Sequence, residues 1–363
     1  MSRHVLNRHA TKRIVVKVGS STITAADGTL DDGQVRALAG QLAAVRRAGA
    51  APVLVSSGAI AAGLEPLGLK RRPGDIPGLQ AAASVGQGIL MHAYQRAFAR
   101  RKVPVGQMLL TRDDVVRRRS YLNAHHALER LLKMGVVPIV NENDTTAVDE
   151  IRFGDNDALA ALVAIMAHAD LLVILSDIDG VYSADPKRAR EPVHRITDLA
   201  GLERMRAGRR GSALGSGGMA SKVEAVRTAT AAGTRVVIAH GREPRVVERI
   251  VAGEEVGSSF EPRRARGRSR KLWIEFSLVP RGTVTVDDGA RRALVEGGKS
   301  LLPAGVTAVA GAFEAGDAVE VADPAGAVFA KGIVNYAAAD MPIGASIRDG
   351  GREVIHRDSL VIL

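Results

Sequence analysis

The sequence predicts an α/β protein: a large domain built on a mostly parallel sheet with helices on both faces, followed by a small β-rich domain. Three observations predict it. Short β-branched apolar runs alternate with stretches of helical periodicity over residues 13–239, the pattern of a wound parallel sheet. Aromatics make up only 3% of the 363 residues while apolar residues make up 46%, so the core must be aliphatic, as in sheets covered on both faces. Near residue 260 the pattern breaks into a charged segment and then into short strand-like pieces.

Strands are expected at residues 13–18, 52–55, 103–109, 136–140, 171–175 and 235–239, each ending in a small or polar residue. Between them, apolar spacing near 3.6 predicts helices at 32–48, 79–101, 121–134, 158–167 and 219–232. The expected division is a domain over 1–260, a basic linker over 261–271 (EPRRARGRSRK) and a β domain over 272–363. The β domain is expected to be a compact barrel with strands at 283–286, 318–321, 328–330, 332–334 and 359–363.

Composition excludes several classes. With no cysteine, disulfides, thiolate nucleophiles and Cys-based metal sites are ruled out. Residues 1–13 are basic and polar, unlike a secretory leader. No apolar run reaches the ~18 residues of a membrane span, so the expected location is the cytoplasm. Net charge is +11, unevenly spread. Residues 1–260 carry 36 basic and 26 acidic side chains, 261–271 carry six and one, and 272–363 carry 8 and 12.

In a parallel sheet, ligands bind beyond the carboxyl ends of the strands. The first strand ends VVKVGSS, and Lys17 inside an apolar run is costly to bury unless it meets an anion. An exposed strand edge would explain it equally well. The second ends VSSGAIAAG, small residues opening a helix, which suits either an anion site or a tight turn. After the fourth comes a run of carboxylates and amides over 141–157, able to bind an amino acid or a cation, or simply to solvate a loop. It contains Asp144, Asn156 and Asp157, and Asp157 could orient a lysine by ion pairing. The spacing is not that of metal ligands. Ser176 and Asp177 follow the fifth strand. Residues 215–222, GSGGMASK, place glycines before a helix bearing Lys222, a weak phosphate-cradle signal without the G-K-[ST] ending of a P-loop. The histidines, His125 and His126 among them, lack ligand spacing and are expected to be surface or helix residues.

Five of these texts, SSGAIAAG, VGQMLLTRDD, NENDTTAVDEIRFGDND, SDIDGVYSADP and GSGGMASK, stand in the order found in the amino-acid kinase family. From about residue 13 to 359 the chain resembles that family, most closely its glutamate-phosphorylating members with a C-terminal PUA domain. The resemblance implies a three-layer αβα sandwich, ATP and Mg²⁺ as cofactors, and transfer of the γ-phosphoryl to the side-chain carboxylate of L-glutamate, the first step toward proline. By matching positions it implies that Lys17, Lys222 and Asp157 are catalytic. ATP is implied to meet Lys17, Ser176 and Asp177, and a glycine-rich loop of Ser216, Gly217, Gly218, Met219, Ala220, Ser221 and Lys222. Glutamate is implied to meet Ser57, Asp144 and Asn156. Mg²⁺ is implied to be held by nucleotide and water, without side-chain metal ligands. Ser56, Ser176 and Ser221 stand where threonine is frequent, each keeping the hydroxyl. Proline as a feedback inhibitor and assembly as a homo-oligomer are further implications.

Three alternatives compete. Another member of the family would act on aspartate, acetylglutamate, carbamate or a nucleotide. An RNA-binding role through the PUA-like domain is disfavoured by its acidic balance, since nucleic acid requires Lys/Arg neutralisation of phosphates, although the basic linker favours it. A catalytically silent amino-acid sensor is disfavoured by the intact Lys17, Asp157 and Lys222.

Overall fold

The computed structural model describes residues 13–25, 27–111, 114–115, 117–147, 156–182, 193–196, 218–262, 269–345 and 352–363. The chain forms two compact units, Met1–Arg266 and Gly267–Leu363.

The first unit follows the expected alternation. In chain order it comprises β1 (Arg13–Val18), α1 (Ser20–Ile23), α2 (Asp32–Arg47), β2 (Ala51–Ser56), α3 (Ala59–Leu64), α4 (Ile76–Ala99) and β3 (Val105–Leu110). Then come α5 (Arg118–Lys133), β4 (Val137–Glu142), α6 (Asn156–Met166), β5 (Leu171–Ser176), β6 (Arg195–Ile196), α7 (Met219–Ala231), β7 (Arg235–His240), α8 (Val246–Val251) and β8 (Ser258–Phe260). Polar caps set two helix starts. Asp31 accepts from the Gln34 amide at 3.0 Å to begin α2, and Asp75 accepts from the Gly78 amide at 3.0 Å to begin α4, each satisfying an otherwise orphaned N–H.

The eight strands run in the order β3-β4-β2-β1-β5-β7-β8-β6. All neighbours pair in parallel except β7 and β8. The two short strands β6 and β8 have no counterpart in the sequence reading, being too brief for a periodic signal. Alternation along β1 divides the unit into layers. Ile14, Val16 and Val18 enter a core with Leu42 of α2, Tyr94 and Phe98 of α4 and Val247 of α8. Val15 and Lys17 therefore face the opposite layer, where α6 packs on β1 and β5 and α7 packs on α6 and β7. Among the described residues no helix is long and apolar enough to cross a membrane.

The second unit contains α9 (Ser269–Ser277), β9 (Gly282–Val286), α10 (Asp288–Val295), β10 (Val306–Gly311), β11 (Ala318–Ala322), β12 (Val328–Ile333) and β13 (Leu360–Ile362). Its sheet runs β10-β9-β11-β12-β13. Three differences from expectation have physical causes. Residues 269–271, read as linker, begin α9, which buries Trp273 and Ile274. Strand β10 shows no alternation because most of its face is exposed. The two pieces expected at 328–330 and 332–334 are one strand. Lys331 interrupts the apolar pattern between them, yet it is buried in the strand with its ammonium donating to the Glu275 carbonyl at 3.0 Å.

Candidate active site

The chain leaves β1 to build β2, β4 and β3 on one side and returns to build β5 on the other. The tips of β1, β2 and β5 therefore border a switch point, where a crevice opens in sheets of this kind. Lys17 sits one residue from the tip of β1, in register with Val55 of β2 and Ile174 of β5. It is 3% exposed.

Helix α6 brings the counter-charge. Asp157, in its first turn, is fully buried, where the helix dipole favours an anion. One carboxylate oxygen lies 2.6 Å from Lys17 Nζ. The other lies 3.1 Å from Lys222 Nζ of α7 and accepts from Ser221 Oγ at 3.3 Å. Two buried ammonium groups thus share one buried carboxylate. With its two oxygens engaged by lysines, Asp157 positions cations and is poorly placed to act as a base.

A second cluster lies beside it. Asn156 donates from Nδ2 to the Ser56 carbonyl at 2.8 Å, to Ser57 Oγ at 3.0 Å and to Asn141 Oδ1 at 2.9 Å. Asn141, at the end of β4, donates to Gln87 Oε1 of α4 at 2.8 Å, and its own Oδ1 also accepts from the Glu142 amide at 2.9 Å. Ser57 is tied to the tip of β1 through its amide and the Val18 carbonyl, 3.1 Å. The residue after it, Gly58, caps α3 at φ +101°, a left-handed conformation that a side chain would strain, and a Cβ would lie 2.8 Å from Ile23. Ser56 turns its hydroxyl away to Tyr94 OH at 2.9 Å. Burial pushes the Tyr94 phenol up, with the Ser56 hydrogen bond opposing it, so this pair stays neutral and structural.

Asp144 is half-buried in the turn after β4, which the Thr146 and Ala147 amides close on the Asn143 carbonyl. Ser176, buried at the tip of β5, donates to Asp177 Oδ1 at 2.9 Å, and Asp177 is exposed. Gly218 caps α7 without a side-chain bond, and Gly218, Met219 and Ala220 are exposed at its start. Ser216 and Gly217 lie outside the described residues. The structure therefore brings Lys17, Asp157, Ser221 and Lys222 into one cluster and Ser57 and Asn156 into its neighbour. Asn141 and Gln87 went unassigned in the sequence. The signal for Asn141 was an amide closing a strand buried at every position.

Among the described residues no group of three or more His, Asp or Glu side chains is placed to hold a metal. The expectation that His125 is a helix residue agrees with its Nδ1 contact to the Met166 carbonyl at 2.9 Å.

Comparison with known proteins defines the class. The family model described as amino acid kinase family matches residues 12–240, and that of the PUA domain matches residues 282–351. The chain belongs to the amino acid kinase family. Its curated relatives include glutamate 5-kinase of Streptomyces coelicolor, 52% identical over 97% of this chain and 96% of that protein. Those of Salinispora arenicola, at 49% over 98% of each, and Trichormus variabilis, at 46% over 97% and 100%, bear the same name. Among solved structures, Giardia carbamate kinase superposes with a TM-score of 0.52 at 19% identity, covering 69% of this chain and 99% of that one, a likeness of fold.

Proposed function

We propose that this chain is a glutamate 5-kinase, transferring the γ-phosphoryl of ATP to the side-chain carboxylate of L-glutamate, the first step of proline biosynthesis. Near-full-length identity to proteins of that name supports the activity. The observation that carries the chemistry is the buried Lys17–Asp157–Lys222 cluster, two ammonium groups gathered on one carboxylate. Phosphoryl transfer asks for in-line positioning and neutralisation of spreading negative charge. In this reading Lys17 and Lys222 supply that charge, held apart and aimed by Asp157. A carboxylate acceptor is already a nucleophile, so no general base is needed. Ser57, Asn156 and Asp144 hold the acceptor. Ser176, Asp177 and the start of α7 hold the nucleotide, whose phosphates would meet open helix amides. The donor set fits Mg²⁺ bound chiefly by phosphate oxygens and water, because Asp157 is already engaged by lysines. Bound so, Mg²⁺ would neutralise charge on the phosphates.

The same reading includes action in the cytoplasm, inhibition by proline, assembly as a homo-oligomer, and no RNA-binding role for the acidic second unit. The test is ADP release with L-glutamate set against aspartate, acetylglutamate, carbamate and UMP, trapping the product as its hydroxamate. Glutamate-dependent hydroxamate is expected. Turnover with another acceptor and none with glutamate would overturn the assignment.

A further inference from the structure

Helix α4 is attached to both walls of the proposed acceptor site, one on each of two opposite faces. Gln80, Ser84 and Gln87 are spaced four and three residues apart, which puts them in one stripe. Each meets the segment that follows the core of β4. Gln80 Nε2 donates to the Ala147 carbonyl at 3.2 Å. Ser84 Oγ lies 3.0 Å from Thr145 Oγ1. Gln87 Oε1 accepts from Asn141 Nδ2 at 2.8 Å. The stripe thus brackets Asp144 from both sides in sequence. The other wall, α3 behind Ser57, joins α4 through a glycine seam. A Cβ on Gly86 would lie 1.8 Å from the Ala59 carbonyl, and one on Gly63 would lie 1.9 Å from the Ala82 carbonyl.

Gln87 has the sharpest consequence. The Glu142 amide can only donate, so it takes Asn141 Oδ1 and leaves Nδ2 to Gln87, whose carboxamide oxygen accepts it. With Nδ2 turned to Gln87, Oδ1 faces the Glu142 amide and Asn156 Nδ2. Asn156 Nδ2 also lies 2.8 Å from the Ser56 carbonyl and 3.0 Å from Ser57 Oγ, so its two N–H groups are shared among three acceptors. One acceptor on α4 therefore anchors the far end of a chain of two successive amides that ends on the Ser57 hydroxyl.

We infer that Gln87, with Ser84 and Gln80, is a positioning residue for the amino-acid acceptor, setting affinity for glutamate without acting on the nucleotide. This rests on the glutamate 5-kinase reading. The test is steady-state kinetics of the full chain and of Gln87→Met, which keeps volume and helix propensity while deleting the acceptor. A second variant, Gln80→Met with Ser84→Ala, frees the turn and leaves Asn141 held. For Gln87→Met the KM for glutamate should rise about tenfold, the effect of one lost partly buried hydrogen bond. The KM for ATP should stay within about twofold, as should the melting temperature behaviour on adding ATP. The double variant should raise the glutamate KM by a smaller factor, with the same selectivity. An unchanged glutamate KM in both, or equal rises for glutamate and ATP, would overturn the positioning role while wild-type turnover left the enzyme reading standing. No glutamate turnover by the wild type would overturn that reading and this role with it.

Discussion

Replacing Asp157 by asparagine removes one charge and almost no volume, so its effect isolates the electrostatics of the lysine cluster. The wild-type cluster holds two ammonium groups and one carboxylate, with Nζ–O distances of 2.6 and 3.1 Å and no exposure of Asp157. The amide leaves both lysines buried, at 3% and 6% exposure, and takes away the carboxylate they share. Breaking a buried pair by removing one partner costs about 3–5 kcal/mol. In a domain of this size each kcal/mol moves the melting temperature by about 2–4 °C. Asp157→Asn should therefore melt roughly 6–20 °C below wild type without nucleotide. ATP supplies the missing negative charge, so the rise in melting temperature on saturation should be larger in the variant than in wild type. Activity should not recover with stability. The lysines lose the group that fixes their spacing, and misplacement near 1 Å costs about 10²-fold in rate. Scanning calorimetry with and without ATP, beside a coupled ADP assay at saturating glutamate, reads all three effects. An unliganded variant melting with the wild type, or one turning over within about threefold of it, would refute the charge argument.

Other perturbations test separate parts. Lys17→Ala should lower kcat by about two orders of magnitude or more, as for loss of a charge acting on the transferring group, with a smaller effect on the KM for glutamate; a near-normal kcat in the ADP assay would remove Lys17 from the chemistry. Gly86→Ala forces a methyl against the Ala59 carbonyl at 1.8 Å and should destabilise the first unit by about 1–3 kcal/mol, read by chemical denaturation. In the second unit, burial pushes Lys331 down to about 8, with Glu275 and Glu320 pulling it back up. Its ammonium donates to the Glu275 carbonyl at 3.0 Å and to the Leu278 carbonyl. The folded value lies below the unfolded one, so the unfolded chain binds more protons between about pH 8 and 10.5. The stability contributed by Lys331 should therefore rise with pH across that window. The difference between wild type and Lys331→Met should shift in favour of wild type as pH climbs, followed through Trp273, the chain's one tryptophan, buried in α9. A flat difference would refute it.

Much of the kinase unit was legible because most strands are short apolar runs rich in β-branched residues and the long helices keep apolar spacing near 3.6. Lys17 was legible for a related reason: a charge inside an apolar strand is an exception that asks for a cause. The sequence could suggest that Asp157 pairs with a lysine, but not that it reaches two, because Lys222 stands 65 residues away on another helix. Asn156 and the amide closing β4 could be picked out, but not the hydrogen bonds that link Gln87 through Asn141 to Asn156. Glutamine on a helix is ordinary, and its partner is 54 residues distant. In the second unit α9 was hidden because its basic start reads as linker, and the burial of Trp273 and Ile274 becomes visible only once the sheet beneath them is formed.

The structure decides one ambiguity that the sequence left open. A lysine in a strand can sit at a sheet edge with its ammonium in water, and nothing local in VVKVGSS excludes that. Strand β1, however, pairs on one side with β2 and on the other with β5, so it has no free edge. Lys17 is buried at the sheet's centre and must be neutralised there. Apolar side chains of similar volume usually stabilise a buried position at least as well as an ion pair does. Stability alone therefore gives no reason for lysine here, and still less for gathering a second lysine onto the same carboxylate. What the pair provides that apolar packing cannot is two ammonium groups held on one carboxylate at the strand tips, beside the start of α7, which in the proposed reading meet the triphosphate.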